Sequence, residues 1–355
     1  MRLHGRDGPA TLALRPEPFA GRRRRLASGP ARRHRRPAMT PSPISLGRAL
    51  DAALADLAAG PERLSVWSLV VTVFGDAVAP RGGVLRVAAL QEIVARLGVE
   101  PGALRTALSR LARDGWLERE RRGRASFHAL TPRRRAELDA ASRRIYAPGP
   151  PPWEGAWLLA ALRPGAPKAE LDAAARRLRA AGFARVSQAL LLRPARPGEG
   201  PEAEAAPPGV SLFLSPPGAG AVAPDLVAAA WPSETPAARF RDLAARIAPL
   251  AAAAERGAPD PLDALAARLL LVHLWRRAVL AAPDLPEALR PQDWPGETAR
   301  AAARDLYWRL ARPSELWLDA CGGGPEGALP APGPAFRRRF GGPSSAAAEP
   351  ARATA

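Results

Sequence analysis

The alternation of apolar and polar residues predicts three helices near the start of the folded chain. In Ser65–Phe74 almost every residue is apolar, and the polar exceptions fall at the i, i+3, i+7 spacing of one helical stripe, which predicts a buried helix. Ala88–Leu97 and Gly102–Asp114 have the periodicity of amphipathic helices. Because Gly98 ends the second helix and Pro101 suits the first turn of the third, only a short turn separates them.

A hairpin is expected directly after the third helix. Trp116–Glu120 and Arg124–Leu130 have the β-type character of strands, and Gly123 lies in the turn between them. A further helix, Pro132–Ile145, leads into a proline-rich linker. Three helices, a hairpin and a closing helix form the order of a winged helix-turn-helix domain, which we place at residues 62–147.

The third helix carries the candidate chemistry, because its two sides differ. At about 100° per residue, the apolar side is formed by Leu104, Ala107, Leu108 and Leu111. The opposite side carries guanidinium and hydroxyl groups, from Arg105, Thr106, Ser109, Arg110 and Arg113. Arginine suits guanine edges and phosphates, and serine and threonine suit either bases or phosphates. A recognition helix is therefore one interpretation, and an ordinary solvent-exposed charged face is the other.

The distribution of charge favours the recognition helix. The predicted hairpin tip carries Arg121, Arg122 and Arg124, where a wing would reach a phosphate backbone or minor groove. Between residues 101 and 145 twelve arginines face five acids, whereas residues 62–100 are balanced. The total charge of +18 is weaker evidence, because an arginine-rich chain with one lysine can also reflect GC-rich coding.

A second unit is predicted after the linker, at residues 153–236. Trp153–Leu162 has the pattern of a strand, Pro167–Ala181 that of an amphipathic helix, and Phe183–Leu192 and Val210–Leu214 those of two more strands. This β-α-β-β order suits a small α+β unit.

The remaining segments divide into one helical domain and two ends. Residues 237–320 have a helical pattern, whereas residues 321–355 are rich in glycine, proline and alanine and are predicted to be disordered. Residues 1–61 form an arginine- and proline-rich extension that is also predicted to be disordered, apart from a short helix at Ile44–Ala59. This extension either binds DNA non-specifically or precedes a translation start at Met39.

No pattern in the chain indicates an enzyme. Cys321 is the only cysteine, so that an intramolecular disulfide and a four-cysteine zinc site are excluded. The longest apolar stretches fall short of the ~18–20 residues of a membrane span, and the start lacks the pattern of a secretory signal. We therefore expect a cytoplasmic protein without catalytic residues, bound metal or cofactor.

Five short segments stand out: Gly75-Asp76, Leu104-Arg-Thr-Ala-Leu-Ser-Arg-Leu111, Asp114-Gly-Trp-Leu117, Pro151-Pro-Trp-Glu-Gly-Ala-Trp157 and Asp293-Trp-Pro-Gly296. Together they resemble the PaaX family over about residues 64–319. Members of that family repress genes of phenylacetate and related aromatic-acid catabolism.

The resemblance implies a multidomain α+β protein. Its parts are an N-terminal winged helix-turn-helix, a middle ferredoxin-like domain similar to the Cas2 nuclease fold, and a helical C-terminal domain. It also implies a homodimer that binds double-stranded operator DNA and is released by a phenylacetyl-CoA-like acyl-CoA effector.

The resemblance identifies only some of the site residues. It implies that the positions matching the family's recognition helix contact DNA, namely Arg105, Thr106, Ser109 and Arg110. The effector is expected between the middle and C-terminal domains, but the motifs do not identify its ligands. His273 and Trp275, in an apolar helix, are the candidates.

Other functions compete with this hypothesis. A Cas2-like fold suggests a nuclease, but no acid lies between Glu154 and Glu170 to hold a divalent metal near the first strand. An acyl-CoA-binding or acyl-CoA-handling protein without specific DNA binding has no need of the wing arginines. A third alternative is a protein that binds RNA or a membrane surface. A membrane-binding helix would expose large apolar residues, whereas the third helix exposes Ser, Thr and Arg, which argues against the membrane.

Overall fold

The computed structural model describes four stretches of the chain, residues 44–60, 64–201, 206–218 and 224–343. The disorder predicted before residue 44 and after residue 343 lies outside these stretches. The first half contains five helices and a three-stranded sheet: α1 (Leu46–Ala59), α2 (Val66–Val73), β1 (Val84–Arg86), α3 (Val87–Arg96), α4 (Pro101–Arg113), β2 (Leu117–Arg122), β3 (Ala125–Leu130) and α5 (Pro132–Ile145). The sheet is antiparallel in the order β1-β3-β2.

The helix predicted over Ser65–Phe74 is longer than its sequence pattern. Ser65 caps α2, its hydroxyl accepting from the Ser68 N–H at 3.4 Å. Beyond Val73 the chain continues through a π-helical turn, Phe74–Val78, and the positive φ of Gly82 (91°) ends the run. The extra turn places the carboxylate of Asp76 inside the molecule.

The middle of the chain forms a separate antiparallel sheet with one long helix: β4 (Trp157–Leu162), α6 (Lys168–Ala180), β5 (Ala184–Arg185), β6 (Leu190–Pro194) and β7 (Val210–Leu214). The strand order is β5-β6-β4-β7. On one face Leu158 and Leu191 pack with Leu178 of α6. On the other face Trp157 and Leu192 pack with Val227.

Two of the predicted strands of this sheet differ from the structure. The strand predicted from Trp153 begins at Trp157, because Gly155 takes a positive φ of 87° and interrupts the extended backbone. The strand predicted over Phe183–Leu192 is two strands, because the backbone turns back where Val186 N–H donates to the Leu190 carbonyl at 3.0 Å. That turn contains neither glycine nor proline, the two residues that most often mark a turn in a sequence.

The last part of the chain is helical: α7 (Pro224–Ala230), α8 (Glu234–Ala254), α9 (Pro261–Ala281), α10 (Gly296–Ala320) and α11 (Pro334–Arg337). Helix α9 is the central element, since its residues 264–275 are all buried. One hydrophobic core extends from Leu50 of α1 through Phe74 to Leu270 of α9. The first half of the chain and the C-terminal helices therefore share a core, which we call the helical body, whereas the middle sheet has its own.

The shared core corrects two expectations about the ends of the folded chain. Folding begins before residue 62, because Leu50 and Leu57 of α1 are buried against the helical body. The tail beyond Cys321 is also ordered as far as residue 343. Its Phe336 and Phe340 enter the same core, and their burial outweighs the loop-like composition around them.

Within the described stretches, every helix is too short or too polar to cross a lipid bilayer.

Candidate nucleic-acid interface

Helix α4 has the two faces that its sequence predicts. Pro101 occupies its first position, and Gly115 (φ 67°) follows its last turn. The apolar face is buried and consists of Leu104, Ala107, Leu108 and Leu111. The polar face is exposed and consists of Arg105, Thr106, Ser109, Arg110 and Arg113. The helix is thus fixed by its leucines and presents its guanidinium and hydroxyl groups to solvent.

A tight turn joins α3 to α4. Gly98 has a φ of 78°, and the Val99 N–H donates back to the Val94 carbonyl at 3.0 Å. The Leu104 N–H then donates to the Glu100 carbonyl at 3.1 Å and starts the next helix. These hydrogen bonds make the connection between α3 and α4 short and rigid. The orientation of α4 is therefore set by local geometry as well as by its core contacts.

Two arginines of the exposed face have no partner among the residues that the structure describes. Arg113 pairs with Asp114 at 3.3 Å, and the Thr106 hydroxyl donates to the Gly102 carbonyl at 3.1 Å. Arg105 and Arg110 form no ion pair or side-chain hydrogen bond with any residue in the described stretches. Their donors are therefore available to an external anion or base edge.

The hairpin next to α4 ends in a two-residue turn. Arg122 pairs with Ala125 across the strands, which places Gly123 and Arg124 at the tip. Gly123 has the positive φ (59°) that a type II′ turn requires at its first central position. Arg121 and Arg124 are exposed, and Arg122 is bound to Glu120 at 2.6 Å.

One exposed cation of this surface was not among the predicted contacts. Arg119 lies on β2 two residues before Arg121 and is exposed, with its Nε donating to the Ser126 hydroxyl at 3.0 Å. Residues two apart on a strand point to the same face. The spacing of Arg119 and Arg121 was the available signal for adding this residue.

The hairpin is fixed to the rest of the domain through Trp116. Its ring meets that of Trp67 edge-on, with centroids 5.1 Å apart, and the Arg134 guanidinium lies 4.5 Å from its centroid. The Thr131 hydroxyl donates to the Gly115 carbonyl at 2.8 Å. Contacts from α2 and α5 therefore hold the hairpin at a defined angle beside α4.

A buried ionic network ties this surface to the C-terminal helices. Asp76 is fully buried and accepts from Arg268 at 2.9 Å and from Arg339 at 2.8 Å. The Tyr146 and Tyr307 hydroxyls also donate to it. Burial alone would raise the pKa of Asp76, but these cations and hydroxyls outweigh it and hold the pKa below its ordinary value.

The same network extends to the loop before β1. Arg81 is almost completely buried and donates to Glu315 at 2.8 Å and to Asp319 at 2.8 Å, both on α10. Glu315 also accepts from Arg268 at 2.7 Å. Residues from the first half of the chain, α9, α10 and the tail are thus joined by one set of charges.

The two candidate effector residues, His273 and Trp275, lie inside the core. Trp275 is fully buried, and its indole N–H donates to the Ile145 carbonyl at 2.7 Å. The His273 ring lies 3.2 Å from the Thr72 hydroxyl. Burial, together with nearby Arg276 and Arg277, lowers the pKa of His273 to about 3. Neither ring faces solvent, so both have structural partners rather than an open ligand site.

The chain is similar to known proteins in both sequence and structure. The family described as PaaX-like protein matches residues 65–134, and the PaaX-like protein C-terminal domain matches residues 231–320. The transcriptional repressor PaaX of Escherichia coli (strain K12) is 31% identical over 288 residues, which is 78% of this chain and 90% of that protein. The solved structure of uncharacterized protein Rv0674 from Mycobacterium tuberculosis is 21% identical, covering 70% of this chain and 97% of that one with a TM-score of 0.49. On the family matches and the identity to the Escherichia coli protein, this chain belongs to the PaaX-like protein family.

Proposed function

We propose that this protein is a transcriptional repressor that binds double-stranded operator DNA through α4 and the β2–β3 hairpin. The relative from Escherichia coli is a transcriptional repressor by name. The proposal rests on Arg105 and Arg110, which are exposed and have no partner in the described part of the chain, on a helix whose other face is buried in the core.

In this proposal residues 62–147 form a winged helix-turn-helix. Helices α3 and α4 and their tight turn supply the helix-turn-helix, and α4 enters the major groove. Arg105 and Arg110 read guanine edges there, and the hairpin tip with Arg121 and Arg124 contacts flanking phosphate.

We propose a ferredoxin-like, Cas2-like architecture for the middle sheet. In chain order its strands run 2-3-1-4, all neighbours are antiparallel, and α6 connects the first strand to the second. Between β6 and β7, where the β-α-β-β-α-β motif has its second helix, the described residues 195–201 and 206–209 contain no α-helix.

The proposed repressor acts in the cytoplasm as a homodimer on a palindromic operator. Two-fold symmetry of the protein would match that of the two half-sites. An acyl-CoA of an aromatic acid would release it by binding a DNA-incompetent arrangement more tightly, because equal affinity for both arrangements shifts nothing.

The direct test is specific DNA binding by defined variants. An operator would be selected from random duplexes with the full-length protein, and affinities measured by fluorescence anisotropy. Arg105→Ala and Arg110→Ala should each weaken binding by about 1–3 kcal/mol. Arg312→Ala, which removes an exposed arginine on α10, is the matched control and should bind as the wild type does.

Two outcomes would count against the proposal. Unchanged affinity in a folded double variant would remove α4 as the recognition helix. Failure of the wild type to enrich any duplex, together with tight binding of phenylacetyl-CoA, would favour an acyl-CoA-binding protein without specific DNA binding.

A further inference from the structure

An apolar groove runs between α1 and α8 on the helical body, and we call it the α1–α8 groove. Its volume is about 720 Å³, which lies in the range of small-molecule sites. Apolar side chains form most of its walls, among them Ala53 of α1, Ala253 of α8 and Leu274 of α9. The groove therefore suits an uncharged group over most of its length.

The two helices that form its walls run in opposite directions. Near the end of α1, Asp56 accepts from Arg246 of α8 at 2.8 Å. At the start of α1, the Gly47 carbonyl accepts from Arg96 at 3.2 Å, and Arg96 also binds Asp263 in the first turn of α9. Because α9 begins soon after α8 ends, the start of α1 lies beside the end of α8.

The two ends of the groove differ in charge. At one end, the two acids that line the groove, Asp56 and Asp242, are bound to Arg246 at 2.8 and 2.7 Å. At the other end lie Arg48, in the first turn of α1, and Arg256, just beyond α8. Both are exposed and form no ion pair or side-chain hydrogen bond with any other described residue. We call this the cationic end.

The acids beside these two arginines in the sequence bind other cations. Asp51 pairs with Arg96 at 2.8 Å, and Glu255 pairs with Arg309 at 3.3 Å. The guanidiniums of the cationic end are therefore free to form charge-assisted hydrogen bonds with the carboxylate of a ligand.

The size of the groove favours an alkyl chain over a helix of a partner protein. Its lining on α8 runs from Asp242 to Ala253, which is about 17 Å at the rise of an α-helix. A helix of that length, with a diameter of about 10–12 Å, would occupy roughly 1,300–1,900 Å³. The groove would leave about half of such a helix outside, whereas it can enclose a single alkyl chain.

We propose that the α1–α8 groove binds a long-chain carboxylate of the fatty-acid type, with the carboxylate at Arg48 and Arg256. Its alkyl chain lies along Ala53, Leu250 and Ala253. The chain supplies most of the affinity, because each buried CH₂ group strengthens binding roughly fourfold. The exposed arginines contribute less affinity and select for a negative head group.

Isothermal titration of the full-length protein with laurate, below its micelle concentration, is the test. Two further probes separate the head group from the chain. Acetate has the carboxylate without the chain and should give no measurable binding. Dodecyltrimethylammonium has a chain of the same length with a positive head group, and should bind at least ~10-fold more weakly than laurate because it meets two guanidiniums.

Two variants test the two parts of the site. The double variant Arg48→Glu, Arg256→Glu should weaken laurate about 10-fold and reverse the preference between the two amphiphiles. Ala52→Trp fills the groove from an exposed position of α1 and should weaken both amphiphiles at least ~10-fold, because the ring takes the place of the chain.

The matched controls are exposed residues outside the groove lining. Ala55→Trp lies on the same helix as Ala52, and Arg241→Glu lies on α8. Both should bind laurate as the wild type does. Each variant should unfold at the wild-type urea midpoint.

The inference is overturned if the wild type does not bind laurate, if Ala52→Trp keeps wild-type affinity, or if the double arginine variant keeps the wild-type preference between the amphiphiles. Sedimentation velocity adds one outcome against it: if Ala52→Trp converts a dimer into a monomer, the groove is a contact between two copies of the chain. Because no DNA is present, failure of operator binding would remove the proposed function without changing these results.

Discussion

Replacing Asp76 by asparagine tests whether the buried ionic network holds the first half of the chain to the C-terminal helices. The side chain is fully buried, and the substitution preserves its volume while removing its charge. Three of its four hydrogen bonds reach Oδ1, from Tyr146, Tyr307 and Arg339, and an amide oxygen can still accept them. At the other position the amide would face the Arg268 N–H, donor against donor.

The expected cost follows from this geometry. Removing one partner of a buried ion pair typically costs about 3–5 kcal/mol, because the remaining charge is left uncompensated. Arg268 keeps Glu315 as a second acceptor, and Arg339 keeps the Tyr307 oxygen. We therefore expect Asp76→Asn to lower the free energy of unfolding by about 3 kcal/mol, near the lower end of that range.

Urea denaturation followed by circular dichroism and tryptophan fluorescence measures the cost. A double-mutant cycle with Arg268→Met should give a coupling energy of about 1–3 kcal/mol. Asp51→Asn is the control, because it removes an exposed ion pair to Arg96, with 64% of the Asp51 side chain accessible, and should cost at most about 1 kcal/mol. Equal costs for Asp76→Asn and Asp51→Asn, or a coupling energy near zero, would refute the claim that the buried ionic network stabilises the contact between the two parts.

Three further predictions concern the wing, the tail and a buried histidine. Replacing Arg121 and Arg124 by alanine should reduce the slope of log Kd against log salt concentration by about 2, one unit per lost phosphate contact, and an unchanged slope would place the hairpin away from the backbone. Phe340→Ala should cost about 3–5 kcal/mol in urea denaturation, because the ring is buried against Tyr146, and a cost below about 1 kcal/mol would mean that the tail is not part of the core. Burial lowers the pKa of His273 to about 3, so between about pH 6.5 and 3 the histidine is protonated in the unfolded chain but neutral in the folded chain. Stability should therefore fall as pH drops from about 6.5 towards 3, by at most about 1.4 kcal/mol per pH unit, and His273→Leu should show a smaller decrease over that window; parallel pH profiles would contradict the neutral histidine.

The elements that the sequence predicted best are those whose signals are local. Helix α4 can be predicted from the sequence because Leu104, Leu108 and Leu111 repeat at helical spacing and Pro101 and Gly115 mark its ends. The hairpin can be predicted because its turn contains a glycine. The exposed face of α4 follows from the same periodicity, since a helix that buries its leucines must turn the opposite side chains outward.

The features that were missed depend on contacts between distant parts of the chain. The tail looks disordered because glycine, proline and alanine dominate it, and nothing nearby shows that Phe340 and Arg339 find Tyr146 and Asp76. The sequence marks His273 as a candidate for contact with the effector, because a polar ring in an apolar helix has no partner nearby in the sequence. Its partner, Thr72, lies 201 positions earlier in the sequence.

The shared core limits how the proposed effector could act on the proposed DNA binding. Arg276 of α9 donates to the Thr72 hydroxyl at 2.8 Å and to the Ser68 carbonyl at 2.9 Å, so α2 is fastened to α9 beside the Asp76 network. Tilting the first half of the chain against α9 would break several buried charged contacts at once, at a cost of several kcal/mol. The middle sheet has a separate core and meets the helical body partly through the exposed, long Arg196–Asp284 pair, which costs little to rearrange. A ligand shifts an equilibrium only by its difference in affinity between two states. The contact with the middle sheet is therefore the element on which a modest difference in affinity can act. In the proposed dimer we expect the proposed effector to move the two α4 helices relative to each other rather than to unfold them.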